Sequence, residues 1–148
     1  MKNINMKLRS LTLAAATYLV MLSCDEQKIV KPAELPAEVT SYITTHFPGT
    51  NIAQASTERD GLGKNYDITL TDGTHVEFNG KSEVTDLTST NALPLAVVPA
   101  KIQQYVTANY PGSYITGWES DGNMQQAKLD NGIKLEFDKA GGFKRIDQ

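Results

Sequence analysis

Apolar residues recur along this chain in two rhythms, and the change from one to the other happens twice. Val39, Tyr42, Ile43 and Phe47 fall at helical spacing, and so do Ile102, Tyr105, Val106 and Tyr110. Pro36 suits the first position of a helix, where its missing N–H costs nothing, and Pro48-Gly49 and Pro111-Gly112 stop the two helices. After the first helix the period drops to two, with Tyr66, Ile68 and Leu70 and then Val76 and Phe78. Alternation with one polar face predicts an antiparallel sheet covered on one side only.

The phases of the two apolar sets decide the turn between them. A two-residue Asp72-Gly73 loop would pair Leu70 with His75 and mix the faces. A three-residue loop, Thr71-Asp72-Gly73, pairs Leu70 with Thr74, Ile68 with Val76 and Tyr66 with Phe78, with Gly73 left-handed in a bulge. Downstream the same loop length pairs Leu129 with Ile133, Ala127 with Leu135 and Gln125 with Phe137. Further strands are expected at about 50–58, 82–88, 113–120 and 142–147.

The wording repeats as well as the rhythm. Leu35-Pro36-Ala37 through Phe47-Pro48-Gly49 returns as Val98-Pro99-Ala100 through Tyr110-Pro111-Gly112, and Asp72 through Phe78 returns as Asn131 through Phe137. A match of this size predicts a packing unit present in tandem. The expected fold is α+β: a tandem repeat of a helix plus a four-stranded antiparallel unit, over 35–90 and 91–148. Together the copies form one compact domain with a sheet of roughly eight strands and both helices on one face. A unit of this length is near the lower limit for a core of its own, whereas two sharing one core are not.

The N-terminal segment, 1–23, has another character. It carries Lys2, Lys7 and Arg9 and no acid, and then an apolar run from Leu11 to Leu22 that stops at Ser23-Cys24. This reads as an export signal peptide. Cys24 is the only cysteine of the chain and stands where a lipoprotein signal peptidase would cut, so lipidation at Cys24 is expected, with ordinary cleavage beside a free thiol as the plain alternative. Residues 24–34 read as a polar tether. Removing 1–23 takes three of the 14 Lys and Arg and none of the 17 Asp and Glu, which leaves 11 against 17, a net charge of −6. That balance, with no basic stripe, argues against nucleic acid as a partner.

The Leu/Val-Pro-Ala helix start, the Phe/Tyr-Pro-Gly stop and the hairpin ending in Glu77-Phe78 or Glu136-Phe137 resemble the PepSY-like, β-lactamase-inhibitor-protein-like family of exported bacterial proteins. The resemblance covers about 35–148. It implies an exported, non-enzymatic binding domain that acts on a hydrolase or peptidase.

Residues able to carry catalysis are scarce. The histidines are His46 and His75, and there is no Gly-x-Ser-x-Gly, His-Glu-x-x-His or phosphate-binding glycine loop. We expect no catalytic residues and no cofactor. The polar sheet face says more. In the derived register Asp67 stands opposite Glu77 and Thr69 opposite His75, and two facing carboxylates repel unless a cation lies between them. Asp67, His75 and Glu77 are therefore a candidate divalent-metal site, against the plainer reading of a solvated face with its side chains swung apart. The second half offers Gln126 opposite Glu136 and Lys128 opposite Lys134. If Ile115 faces the helices, Tyr114 and Trp118 lie on the open face as an aromatic contact patch. A bulge would instead turn Trp118 into the core.

The function expected from these residues is that of a membrane-anchored envelope lipoprotein, facing the periplasm or the cell surface. It would bind, and in binding inhibit, an envelope or secreted protein such as a peptidase or other hydrolase, through its open sheet face and the 59–65 loop. Trp118, Tyr114, Lys128 and Lys134 would form the contact, and the membrane would be reached only through the lipid. The alternative is an accessory lipoprotein that binds a small ligand or a divalent metal at Asp67, His75 and Glu77.

Overall fold

The computed structural model describes residues 27–147 apart from Leu62, so the signal segment and Cys24 lie outside the described residues. The fold is α+β, with two helices and one nine-stranded, wholly antiparallel open sheet. The strands are β1 (Lys28–Ile29), β2 (Ile52–Asp60), β3 (Gly63–Leu70), β4 (His75–Phe78), β5 (Val84–Thr88), β6 (Ile115–Ser120), β7 (Met124–Leu129), β8 (Lys134–Asp138) and β9 (Phe143–Asp147). They lie side by side in chain order. Helix α1 (Ala37–His46) precedes β2, and α2 (Ala100–Asn109) precedes β6. Pro36 and Pro99 cap the helices rather than opening their first turns.

The register follows the alternation of apolar residues. Ile68 pairs with Val76 and Tyr66 with Phe78, Leu70 N–H donates to Thr74 O at 2.8 Å, and Gly73 is left-handed at φ 83°. Ala127–Leu135 and Gln125–Phe137 repeat this pattern, with Leu129 N–H donating to Ile133 O at 2.8 Å and Gly132 at φ 86°. A left-handed turn residue is inexpensive only for glycine.

One apolar layer joins the sheet to the helices. Val39 and Ile43 of α1 and Ile102 and Val106 of α2 share a buried cluster with Ile68, Val76, Phe78, Leu87, Ala127, Leu135 and Phe137. Both helices therefore cover the face from which these strand residues project. Tyr42 packs edge-on against Phe78 and Tyr105 against Phe137, each with ring centroids 5.5 Å apart. Burial pushes the Tyr42 hydroxyl up to about 12, which suits a packing residue rather than a proton donor at neutral pH.

The sheet has one strand more than the eight expected. Lys28 and Ile29, within the stretch read as a tether, pair with Thr57 and Ser56 of β2, and Val30 N–H donates to Ala55 O at 2.9 Å. The physical reason is the edge of β2. Its backbone groups would otherwise be unpaired, and a chain leaving the N-terminus alongside it satisfies them. A two-residue strand leaves no hydrophobic period to read. The 59–65 segment also differs from the loop expected: β2 runs through Asp60 and β3 starts at Gly63, so this is a hairpin tip with a short turn at Gly61.

Candidate functional site on the open sheet face

The face away from the helices is polar, and its registers line up into rows that cross the sheet. One row contains Asp67, Glu77, Asp86 and Glu119, because Asp67 pairs with Glu77, Glu77 with Asp86 and Asp86 with Glu119. Four carboxylates therefore stand on four adjacent strands, in three directly opposed like-charge pairs. Such pairs are destabilising in a sheet. The same row continues as Gln126, Glu136 and Arg145, and here the charge is answered: Arg145 Nε lies 2.8 Å from Glu136 Oε2 and its Nη2 donates to Oε1 at 3.0 Å.

The one basic side chain within ion-pairing distance of the ladder among the described residues is His75. Its Nδ1 is 3.5 Å from Asp67 Oδ1 and its Nε2 3.3 Å from Glu77 Oε1. One ligand atom from each of Asp67, His75 and Glu77 falls within 4.8 Å of the others. The sequence-derived trio is thus brought together, as β3–β4 pairing required. Partial burial raises the Asp67 carboxyl above its usual range, with nearby His75 opposing the rise and Glu77 adding to it. Asp86 is raised too, first by burial and then by Glu77 and Glu119, although the Thr88 hydroxyl bonds its carboxylate at 3.1 Å. Depressions lined in part by Asp67 and Glu77, and by Glu119 and Glu136, hold about 90 and 160 Å³. Both are smaller than the roughly 300 Å³ of a small-ligand pocket.

The other expected contact residues separate. Lys128 and Lys134 are opposed and exposed on the open face, with Gly117 beside Lys128. Tyr114 is 44% exposed just before β6. Trp118 does not lie on the open face. The register of β6 against β7 shifts between Ile115 and Gly117, so Thr116 is an extra residue and the alternation inverts beyond it. Trp118 then stands between Leu87 and Ala127, both fully buried, and packs half-buried against the core. Its indole N–H donates to Gln125 Oε1 at 3.0 Å, while the Gln125 amide donates to the carbonyls of Asp138 and Lys139. This network explains a buried glutamine opposite Phe137: all its polar groups have partners.

Sequence reasoning missed Asp86 and Glu119. Both sit in strands whose existence was legible, but Asp86 meets Glu77 through a β4–β5 register that shifts at a bulge, and Glu119 joins only through the pairing of β5 with β6, two strands separated by a helix.

The comparisons with known proteins fit this geometry. A family model described as "Putative beta-lactamase-inhibitor-like, PepSY-like" matches residues 64–145. The chain belongs to this family. Solved structures agree along its length. A "putative periplasmic protein" of the DUF2874 family from Bacteroides vulgatus is 35% identical, with a TM-score of 0.79, over 84% of this chain and 99% of that one. A "putative calcium-regulated periplasmic protein" from Bacteroides thetaiotaomicron is 32% identical, with a TM-score of 0.77, over 82% and 97%. A second Bacteroides vulgatus protein, described as periplasmic and of unknown function, is 28% identical, with a TM-score of 0.78, over 83% and 100%. No curated protein matches the chain.

Proposed function

We propose that this chain is an exported, lipid-anchored envelope protein that acts without catalysis, binding a partner protein through its open sheet face. The observation that carries the reading is the carboxylate ladder Asp67–Glu77–Asp86–Glu119, left unanswered by any Lys or Arg among the described residues while its continuation at Glu136 is paired with Arg145. Three opposed like-charge pairs cost stability, and a cationic surface on a partner would relieve them. A basic segment on a peptidase or other hydrolase is the expected complement, with Lys128, Lys134 and Tyr114 flanking the contact. Export is supported by the signal-like 1–23 and by the periplasmic descriptions of the structural relatives, and anchoring by Cys24 at the end of the apolar run. The matching helix and hairpin wordings support an origin by tandem duplication; 59 residues on, Asp67 and Asp86 correspond to Gln126 and Arg145, while Glu77 corresponds to Glu136.

The test is affinity capture from the envelope and secreted fractions with the parent and with Asp67→Asn/Glu77→Gln/Asp86→Asn. A protein held by the parent at low salt and lost by the variant is expected. A partner retained equally by both would sink the reading.

The trio's own geometry favours a second reading, a divalent-cation site at Asp67, His75 and Glu77, whose ligand atoms already lie within 4.8 Å. An imidazole with two carboxylates suits zinc or manganese, whereas the carboxylates of the ladder alone suit calcium, the ion in the description of one relative. Calorimetric titration with each ion decides it: binding that His75→Ala abolishes marks the first type, binding that survives His75→Ala and fails in Glu77→Gln marks the second, and no heat in the parent ends this reading.

A further inference from the structure

We propose that β9 is a pairing edge for a second copy of this chain. The two ends of the sheet are unlike. At one end β1 and the turn at Pro32–Glu34 lie against β2, whereas at the other, among the described residues, no strand lies beyond β9. Lys144 and Arg145, the cationic residues of this edge, each pair with a carboxylate of the same sheet while staying largely exposed to solvent. Lys144 Nζ lies 3.5 Å from Asp138 Oδ2, and Arg145 is held by Glu136.

The interior of the sheet supplies the template for what is missing. Strands β4–β5 and β8–β9 share one register at a spacing of 59 residues: Glu77–Asp86 corresponds to Glu136–Arg145, Val76–Leu87 to Leu135–Ile146, and Phe78–Val84 to Phe137–Phe143. Leu87 is fully buried because β6 pairs with β5 and sets Trp118 opposite it. Ile146 occupies the same place on β9 and is 48% exposed, with Phe143 37% exposed on the same side. A strand added outside β9 with an apolar residue opposite Ile146 would bury it as Leu87 is buried.

A second β9 meets that requirement in one register. With a two-fold axis at Ile146, antiparallel pairing sets Ile146 against Ile146 of the second copy on the helix side. On the open side it sets Arg145 against Asp147 of the second copy, and Asp147 against Arg145 of the second copy. Centring the axis on Arg145 would oppose two arginines instead. The favoured register is isologous, and it joins the two sheets into one of 18 strands. A contact of so few residues is at the weak, reversible end of the range for protein interfaces.

The test places a cysteine on the axis. Directly opposed residues of an antiparallel pair have Cα atoms about 4.5–5.5 Å apart, within disulfide reach. The full chain carrying Ile146→Cys, exported in its host, is expected to give a dimer on non-reducing electrophoresis that the parent and Thr88→Cys do not give. In the Ile146→Cys background, Arg145→Asp or Asp147→Arg should each reduce the dimer at least tenfold, and the two together should restore it. The restored arm separates pairing from damage to the Arg145–Glu136 contact, and Asp147→Arg leaves that contact intact. Monomer only, a disulfide to a different protein, or a dimer indifferent to both charge reversals would overturn the proposal.

Discussion

Glu77 is the residue whose neutralisation reports most directly on the ladder, because it is opposed by Asp67 on one side and Asp86 on the other. An Asp67 oxygen and a Glu77 oxygen lie within 4.8 Å. Two unit charges at that separation repel by about 0.9 kcal/mol in water, and 0.15 M salt roughly halves this. Asp86 adds a term of similar size, so Glu77→Gln removes about 1–2 kcal/mol of repulsion at low salt and about 0.5–1 kcal/mol at physiological salt. The substitution also loses the His75 Nε2–Glu77 contact, which opposes the gain when the imidazole is charged. Measuring Glu77→Gln in the His75→Ala background keeps the two effects apart. For a domain of this size the low-salt gain corresponds to a Tm rise of roughly 3–8 °C. Thermal unfolding followed by circular dichroism in 10 mM and 500 mM salt provides the assay. A variant no more stable than the parent at 10 mM salt, or one whose gain does not shrink at 500 mM, would refute the electrostatic account of this face.

The pH dependence carries opposite signs at different places. Asp67 and Asp86 are raised in the fold, so they bind protons more readily than in the unfolded chain; their contribution favours folding at low pH and is lost as pH rises through their folded values. Asp121 and Asp138 are lowered, chiefly by backbone N–H donors at Met124 and Gly142; their contribution is present above the ordinary aspartate range and is lost as pH falls. Carboxyl-carbon NMR titration should find the first pair above about 3.9 and the second below it; the reverse order would contradict the site geometry. Phe137→Ala should cost about 3–5 kcal/mol in chemical denaturation, since the ring is fully buried between Tyr105 and Phe143; a loss below 1 kcal/mol would remove it from the core. Trp118→Phe should lower stability by about 1–2 kcal/mol, because Gln125 loses its indole donor, and should leave partner capture unchanged. Loss of capture at unchanged stability would return Trp118 to the contact surface.

How far the sequence discloses this molecule depends on how local each signal is. The hairpin registers are legible because Leu70, Ile68 and Tyr66 must share a face with Thr74, Val76 and Phe78, and only one loop length allows it. The same reasoning brings His75 to Asp67 and Glu77, since all three belong to one hairpin. It fails at Thr116. The run Ile115-Thr116-Gly117-Trp118 alternates as well without a bulge as with one, and the choice is made by β7, where Leu129 and Ala127 already face the helices. It also fails for the ladder beyond Glu77. Asp86 is set opposite Glu77 by a β4–β5 register that shifts at a bulge, and Glu119 is set beside Asp86 only by β6, a contact 33 residues away across α2. Strand β1 carries no period because it has two residues, and only the unpaired edge of β2 explains it.

On the proposed function, the open sheet face, rather than the helix-covered one, meets a partner in the envelope. In-cell photo-crosslinking tests it with benzoylphenylalanine placed singly at Thr88, which is exposed on the open face between His75 and Gly117, and at Gln104, which is exposed on α2. Thr88 is expected to link to an envelope or secreted protein and Gln104 is not, and Glu77→Gln should weaken the Thr88 link. A link from Gln104 with none from Thr88 would contradict this and move the function to the helical face.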